Sequence, residues 1–219
     1  LFRSGGRLTT IAGLDPTGFG DSTATQAQFA PNSFTADTAG NLYLMEQSLH
    51  RVRKLTTSGQ VVVLAGNGLP GNSGDGGPAR SARLFSYASR GGIAVNPAGE
   101  VFFTDSGRLR KIGADGTIST VSYVGSPDQI ALGPDGSFYF TFSGENRIRR
   151  LTPLGQLVLF AGNGSTGSGG DGGNAPDAQV EAPFAIAVDA AGNVYVSELS
   201  NGQRVRKIDT AGIISTVAG

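Results

Sequence analysis

The strongest constraint on the fold is a short sequence ending that recurs five times along the chain. Each copy is an apolar, β-branched run that closes on glycine. The copies are LTTIAG (8–13), VVVLAG (61–66), ISTVSYVG (118–125), LVLFAG (157–162) and ISTVAG (214–219). Runs of this length, bounded by Gly, Asn and Asp, are typical of β-strands joined by hairpins. The last four copies each end a similar stretch of sequence, so we predict a tandem of four β-meanders.

Each meander has the same strand chemistry. An apolar strand and a glycine turn come first, and an aromatic strand and an arginine-rich strand follow. The aromatic strands are NLYLME (41–46), EVFFTD (100–105), SFYFTF (137–142) and NVYVSE (193–198), and the arginine-rich strands are RVRKL (51–55), RLRKI (108–112), RIRRL (147–151) and RVRKI (204–208). The small apolar first strands (SFTAD, GIAVN, QIALG, AIAVD) predict inner strands that are covered on both faces. The alternation in the arginine-rich strands predicts one apolar face and one solvated basic face on the outer rim.

The spacing of the closing glycines sets the size of the unit. Gly125 and Gly162 lie 37 residues apart, whereas the other intervals are 53 to 59 residues. A four-stranded period near 40 is typical of a β-propeller blade. The longer units carry an insertion just after the closing glycine. These insertions are NGLPGNSGDGGPARSARLFSYAS (67–89), NGSTGSGGDGGNAPDAQVEA (163–182) and a weaker relative, LDPTGFGDSTATQAQFA (14–30).

The composition excludes several classes of function. The 17 basic and 17 acidic residues balance, so no net charge attracts nucleic acid or an anionic membrane. The chain has no cysteine and therefore no disulfide, thiolate metal site or cysteine nucleophile. Its apolar runs are too short to cross a bilayer as helices. No signal peptide is visible, and the sequence does not begin with Met.

The last unit carries a family resemblance. Pro-x-x-Ile-Ala-Val-Asp-x-x-Gly-Asn-Val-Tyr-Val from Pro183, then Asn-x-x-Arg-Val-Arg-Lys and Ile-x-Thr-Val-Ala-Gly, resemble the NHL repeat. The Gly-Asp-Gly-Gly insertions resemble the variant of bacterial secreted or surface proteins and of the teneurin-type propeller. The resemblance implies an all-β fold with four-stranded NHL-type blades, six to a ring. It also implies an extracellular, periplasmic or cell-envelope location.

The expected organisation is a single partial propeller of about four blades plus an orphan strand, an open arc of the implied six-bladed ring. The boundaries are 1–13 for the tail of a preceding blade, then 14–66, 67–125, 126–162 and 163–219 for the blades. The third unit departs from the pattern, since it lacks the insertion and has Phe142 where the others have an acid. An open arc exposes apolar blade faces, so we expect the rest of the propeller or another copy to cover them.

One face of a propeller is expected to gather the insertions and the turns between second and third strands. Long loops on a rigid scaffold are where binding usually occurs. The candidate binding residues on this face are Glu46, Arg51, Asp75, Asp105, Arg108, Asp128, Arg147, Asp171, Glu198 and Arg204.

Each candidate has a structural alternative. The acid–arginine pairs at the turns are favoured as charge-assisted braces of their own hairpins. Asp75 and Asp171 could bind Ca²⁺ among glycine-freed carbonyls, but the loops lack DxDxDG spacing. The alternative is a turn in which Asp accepts backbone amides and the glycines adopt positive φ, and no cofactor is expected.

The starts of the inner strands would face the channel mouth, where related lactonases and lyases hold a metal. These positions are Asn32, Gly91, Asp128 and Phe184, and they offer one acid. The single histidine, His50, lies at an outer turn, so a histidine-rich zinc centre is not expected. The sequence therefore favours a non-catalytic scaffold that binds a protein or a glycan. A metal-dependent lactonase- or lyase-like enzyme is the alternative, and RNA binding is disfavoured by the neutral charge and strand-embedded aromatics.

Overall fold

The computed structural model describes residues 2–4, 7–9, 21–24, 27, 29–85, 90–199 and 203–219. Within these ranges the regular elements are β-strands and short 3₁₀ helices. The 3₁₀ helices span Gln47–Leu49, Ala79–Ser81, Ser143–Glu145 and Ala175–Asp177. The predicted all-β class is therefore confirmed.

The first strands form small elements before the repeated sheets. Strands β1 (Phe2–Ser4) and β2 (Arg7–Thr9) pair antiparallel as a two-stranded sheet. Residues 1–13 were predicted to be the tail of a preceding blade, and the rest of that segment lies outside the described residues. The weaker insertion, 14–30, is described only in part, and β3 (Ser22–Thr23) belongs to it.

Blade 1 is an antiparallel meander of four strands with β3 added at its outer edge. Its strands are β4 (Ser33–Ala36), β5 (Leu42–Glu46), β6 (Arg51–Leu55) and β7 (Gln60–Ala65). The order across the sheet is β3-β7-β6-β5-β4, so the chain builds outward from β4. A bulge between Val52 and Arg53 shifts the register of β6 against β7.

Three further sheets repeat this meander. The first insertion comes before blade 2 and contains a short parallel pair, β8 (Pro70–Gly71) and β9 (Leu84–Phe85). Blade 2 is β10 (Ile93–Val95), β11 (Val101–Asp105), β12 (Arg108–Ile112) and β13 (Ile118–Tyr123). Blade 3 is β14 (Gln129–Leu132), β15 (Phe138–Phe142), β16 (Arg147–Leu151) and β17 (Leu157–Ala161). Blade 4 is β18 (Pro183–Val188), β19 (Val194–Glu198), β20 (Val205–Ile208) and β21 (Ile214–Ala218). Four four-stranded blades confirm the propeller class, while the ring size of six and the domain boundaries stay predictions.

The chain divides into two compact units, each with its own core. One unit is Leu1–Ala88 with Ile93–Val121, and the other is Ser89–Gly92 with Ser122–Gly219. In the first unit Met45 and Val52 of blade 1 pack with Phe103 and Ile118 of blade 2. In the second unit Ile148 of blade 3 belongs to a cluster with apolar residues of blade 4, which are Val194, Val196, Ile208 and Ile214. Each fully buried side chain of this size stabilises the fold by roughly 1.5–3 kcal/mol.

The inner strands are not all covered on both faces, although their composition predicted this; exposed apolar faces were the expectation for an open arc. In β10 and β14 the central apolar residues are buried, as expected. In β4, however, Phe34 is 68% exposed, and in β18 both Ala185 and Ala187 are exposed. These two strands therefore present an apolar face to solvent among the described residues.

Candidate functional site

The acid that ends the second strand of blade 1 is completely buried. Glu46 receives Arg51 Nε on Oε2 at 2.7 Å and an Nη of Arg53 on Oε1 at 2.7 Å. Both arginine side chains are almost wholly buried as well. The cross-strand register places Arg51 directly opposite Glu46 and Arg53 on the diagonal, so one carboxylate reaches both. This pair braces its own hairpin, as the structural alternative proposed.

Blades 2 and 4 repeat the brace with only the diagonal arginine. Asp105 pairs with Arg110 at 3.0 Å, and Glu198 pairs with Arg206 at 3.2 Å. The partners suggested by the sequence were Arg108 and Arg204. Arg108 instead donates to the carbonyl of Asn72 in the insertion at 2.9 Å.

The burial of these arginines corrects the prediction of a solvated basic face. Arg53, Arg110 and Arg206 are 0% exposed, and Arg51 is 1% exposed. The last basic position of each strand is half-buried, at Lys54, Lys111, Arg150 and Lys207. Arg147, Arg149 and Arg204 are half-buried as well. The central arginine of each RVR or RLR motif is thus a structural residue that sequence reasoning missed. The available signal was its regular position, two residues after the arginine that begins each strand.

The same acids also hold the connection that enters each blade. Glu46 accepts the amide of Ala30 at 2.8 Å, Asp105 that of Phe85 at 2.8 Å, and Glu198 that of Glu181 at 3.2 Å. Burial raises the pKa of the Glu198 carboxyl above its ordinary value, and the charge of Arg206 opposes that rise. Each acid therefore joins a hairpin to a loop instead of facing a ligand.

The aspartates of the two Gly-Asp-Gly-Gly insertions form a second ion pair with the buried arginines of blades 2 and 4. Asp75 pairs with an Nη of Arg110, and its Oδ2 accepts the amide of Thr120 at 3.1 Å. Asp171 pairs with an Nη of Arg206 at 2.7 Å and accepts the backbone amide of Thr216. Partial burial raises the pKa of Asp75 and Asp171, but these hydrogen bonds and arginine charges outweigh it and lower both. Both aspartates thus accept amides of the following blade's outer strand, and the glycines around them adopt positive φ at Gly74, Gly76, Gly170 and Gly172.

Each insertion runs along the outer strand of the blade that follows it. In the first, Gly76 N donates to Ile118 O at 2.8 Å, and Ile118 N donates to Gly77 O at 3.1 Å. In the second, Gly172 N donates to Ile214 O at 2.8 Å, and Ile214 N donates to Gly173 O at 3.1 Å. The insertions therefore act as partial fifth strands.

A buried alanine in each insertion links two successive blades within one unit. Gly66 N, after the last strand of blade 1, donates to Ala79 O at 2.9 Å. Ala79 N donates to Gly116 O, just before β13, at 2.8 Å. Gly162, Ala175 and Gly212 repeat this chain of bonds in the second unit, each at 2.9 Å. Ala79 and Ala175 are both 0% exposed.

The two insertions share a backbone but differ in their exposed side chains. Asn67 and Asn163 make equivalent bonds at the start, since each accepts the amide two residues later and donates to the 3₁₀ helix of its insertion. Where the first insertion exposes Leu69, Arg80 and Arg83, the second has Ser165, Pro176 and Gln179. The variable surface therefore sits on a fixed framework.

Blade 3 is built without the brace. Phe142 replaces the acid and lies under the Arg149 guanidinium, 4.8 Å from ring centroid to Cζ. Arg149 pairs with Glu145 and keeps 33% side-chain exposure. Asp128 is nine-tenths buried, with Arg90 at 3.0 Å from Oδ1 and the amide of Ser143 at 2.6 Å from Oδ2. Its carboxylate therefore closes the turn after β15.

The ten predicted binding residues fall into two groups. Six are buried in the braces and caps just described: Glu46, Arg51, Asp105, Arg108, Asp128 and Glu198. Of the others, Asp75 and Asp171 are exposed, and Arg147 and Arg204 are half-buried. The exposed members, Asp75 and Asp171, lie on the two insertions.

The predicted channel-mouth positions do not form a metal-binding cluster in the described ranges. Asn32 accepts the amide of Gln47 at 3.1 Å, in the same capping role as Asp128, and Phe184 lies under Arg90. His50 adopts φ 50° and places Nδ1 3.1 Å from Leu84 O. Across the described residues, no group of three or more His, Cys, Asp or Glu side chains converges.

A cleft of about 320 Å³ lies between blades 1 and 2. Tyr43 and Lys54 line it from blade 1, Val101 and Gly113 line it from blade 2, and Arg80 reaches it from the insertion. It opens beside the turns between third and fourth strands, where only short turns were expected. Its lining is mostly apolar with two basic groups, and it offers no nucleophile–base pair.

These features define the class of the protein: a β-propeller made of repeated four-stranded antiparallel meanders. The Teneurin NHL domain model matches residues 160–219. Teneurin-3 of Mus musculus is 29% identical over 224 residues, which cover 85% of this chain and 8% of the teneurin. The resemblance to the teneurin-type NHL propeller is thus confirmed. The chain spans about 5 to 8% of the length of the teneurins that it matches.

Solved structures with the same fold include enzymes. A gluconolactonase from Xanthomonas campestris is 18% identical, with a TM-score of 0.63 over 88% of this chain and 63% of its own. The virginiamycin B lyase from Staphylococcus aureus is 20% identical, with a TM-score of 0.55 over 85% of this chain and 54% of its own. At such identities the likeness concerns the fold alone. Among the described residues no helix is long and apolar enough to span a membrane.

Proposed function

We propose that the chain is a non-catalytic binding module that presents its Gly-Asp-Gly-Gly insertions to a protein or a glycan. The observation that carries the proposal is the division inside the insertions. Their backbones share the hydrogen bonds to the neighbouring blades, whereas their side chains differ, as at the exposed Leu69 and Ser165 or at the exposed Arg83 and the half-buried Gln179. Variable side chains on loops fixed by a rigid scaffold are typical of recognition surfaces.

The buried acid–arginine braces support the same function. Their carboxylates and guanidinium groups are used to hold loops on blades, which leaves them without access to a substrate. The similarity to teneurins further supports a module of a larger protein. A location outside the cytoplasm, a bacterial source and a six-bladed ring stay predictions from the resemblance.

The test is a glycan array together with a panel of purified extracellular domains, probed with wild type and a double variant. The variant Leu69→Ser/Arg83→Gln replaces two exposed side chains of the first insertion with the residues at the equivalent positions of the second, and neither change removes a backbone hydrogen bond. We expect a ligand of the wild type to bind the variant at least about tenfold more weakly, as for a central contact residue. Thr38→Ala, at an exposed turn between first and second strands, is the matched control and should bind like wild type.

The enzyme alternative makes a different prediction. A metal-dependent lactonase or lyase would open lactone rings in the presence of a divalent cation, and the insertion variant would leave turnover unchanged. Cation-dependent lactone hydrolysis by the purified chain, combined with unchanged binding by the variant, would overturn the proposal.

A further inference from the structure

The outer edge of blade 3 differs from the other three outer edges. β3 pairs with β7 through Ser22 and Val61, and the two insertions pair with β13 and β21. β17 is the last strand of its sheet, and no segment in the described ranges pairs beyond it. The connection before blade 3 contains only Ser126 and Pro127 between Gly125 and Asp128, so it carries no insertion.

The three covered edges receive the same chemistry. In blades 2 and 4 an aspartate of the insertion accepts the amide of the third residue of the outer strand: Asp75 accepts Thr120 N, and Asp171 accepts Thr216 N. In blade 1 Asp21 accepts Val63 N at 2.7 Å, and Val63 is the residue of β7 at the same register. Glycine backbone then pairs with the residue two positions earlier, which is Ile118 in blade 2 and Ile214 in blade 4. The cover of blade 1 is the short strand Ser22–Thr23, and the covers of blades 2 and 4 are glycine turns. All three place one aspartate on the equivalent amide of the outer strand.

β17 has the matching groups in the matching register. Leu159 lies opposite Arg149 just as Thr216 lies opposite Arg206, with the same bulge one residue earlier in the inner strand. Leu159 is thus the equivalent of Thr216, and Leu157 is the equivalent of Ile214. Their outward amide and carbonyl groups form the same template that the insertions use elsewhere.

The side chains around this edge suit an incoming acidic segment. Arg149 occupies the place of the buried Arg110 and Arg206, but its partner is the exposed Glu145, a kind of pair that exchanges easily. Val158 and Leu159 are 42% and 44% exposed. A carboxylate at the Leu159 amide would also reach the Arg149 guanidinium.

We propose that the β17 edge binds a segment of another polypeptide that carries an aspartate followed by glycines, added to the edge of the sheet as the two insertions are. Backbone bonds to Leu157 and Leu159 supply the affinity, and the aspartate at Arg149 supplies the register. This site is separate from the insertion surface of the proposed function, and either can fail without the other.

The probe is a synthetic peptide with this chain's own covering sequence, GNSGDGGPARSA (71–82), capped at both ends. Titration into the ¹⁵N-labelled 219-residue chain should shift the amide resonances of Leu157 and Leu159 saturably. The same peptide with Asp75→Asn keeps its backbone and loses its charge, and it should bind about tenfold more weakly. Absence of saturable shifts at these amides with millimolar peptide would overturn the proposal.

Two protein variants make the assignment specific. Leu159→Pro removes the outward amide at an edge position, where proline is tolerated, and should abolish binding. Arg149→Gln should remove the preference for the aspartate peptide over the asparagine peptide, while the backbone groups of β17 remain available to both peptides. Leu154→Ser, which removes the 87% exposed side chain of the neighbouring turn, is the control for non-specific apolar attachment and should bind like wild type. Equal affinity of wild type and Leu159→Pro, or loss of binding in Leu154→Ser alone, would contradict strand addition.

Discussion

Arg206 and Arg149 occupy the same position in their strands, but their environments differ. Arg206 is 0% exposed between Glu198 and Asp171, whereas the Arg149 side chain is 33% exposed and pairs with Glu145. Removing one partner of a buried pair leaves an uncompensated charge, while an exposed pair contributes little. The two arginines therefore provide a matched comparison of brace and surface pair.

We expect Arg206→Met to lower the free energy of unfolding by about 3 kcal/mol. Arg149→Met should change it by less than about 1 kcal/mol. Urea denaturation followed by circular dichroism at pH 7 measures both. Similar losses for the two variants would show that Arg206 is not a brace.

The pH dependence of the Arg206→Met variant adds a second check. The folded-state pKa of Glu198 is raised by burial, so the folded chain retains this proton to higher pH than the unfolded chain. The destabilising contribution of Glu198 therefore grows as pH rises from the unfolded pKa through the folded pKa. The loss of stability in the variant should be larger at pH 8 than at pH 5, and an equal loss would count against it.

Backbone geometry explains why the closing residue of blade 3, Gly162, is a glycine. Gly162 has φ +89°, and a Cβ there would overlap the carbonyl oxygen of Asn146. Gly155 has φ +79°, and a Cβ there would meet nothing within 4 Å. The pair separates steric overlap from backbone strain.

Gly155→Ala should cost about 1 kcal/mol, the strain of a left-handed alanine. Gly162→Ala should lose roughly 2 kcal/mol more, because the added methyl group forces the start of β16 to move. Chemical denaturation of both variants decides this, and an equal loss would remove the steric explanation.

At the scale of elements, the insertions are fastened covers instead of free loops. The glycine pattern predicted turns with positive φ around Asp75 and Asp171, and Gly74, Gly76, Gly170 and Gly172 adopt it. Their contacts with Arg110 and Arg206 were not predictable, because each pair joins residues 35 positions apart that meet only when the insertion lies on the outer strand. For the same reason alternation identified the basic face of each strand but not its burial.

The fastening of the second insertion should weaken in acid. The pKa of Asp171 is lowered in the folded chain, so its contribution is present above the unfolded pKa of about 4 and is lost as pH falls through the folded pKa. Because its side chain is 48% exposed, we expect less than about 1 kcal/mol from it. Hydrogen-exchange protection factors of Ile214 and Thr216, corrected for intrinsic rates, should therefore fall modestly in acid.

Asp171→Asn is the control for that measurement. It should lower the protection of these two amides at neutral pH and flatten their pH dependence, while amides of β16 stay unchanged. A pH profile identical to that of wild type would assign the effect to other groups.

At the scale of the whole molecule, the four blades correspond to four copies of one sequence repeat, and the sequence predicted them. The strand sequences alone do not distinguish covered from exposed inner strands, because SFTAD and AIAVD resemble the covered QIALG. The repeat count, which predicted an open arc, is what led us to expect exposed apolar faces. Burial on both faces is a property of the assembly of sheets and not of a strand. The exposed Phe34, Ala185 and Ala187 show where the covering is missing in the described chain.

We expect these apolar faces to cause association of the isolated chain at micromolar concentration. Ala187→Glu places a charge in the exposed face of β18 and should shift sedimentation velocity profiles toward the monomer. Ala211→Glu adds the same charge at an exposed turn and should not. A wild-type chain that stays monomeric up to 100 μM, on the order of a hundred times the expected range, would contradict this expectation.

The buried alanine of each insertion also bears on how such chains evolve. Ala79 and Ala175 belong to insertions that pack on the blade after them. An insertion and the blade that follows it therefore form one structural unit, which begins after the closing glycine. A duplication boundary placed between Asp75 and Arg110, or between Asp171 and Arg206, would separate the aspartate from its arginine. Repeats of different length then differ by a whole insertion. A repeat without one, as in blade 3, leaves its outer strand edge open to the segment proposed above.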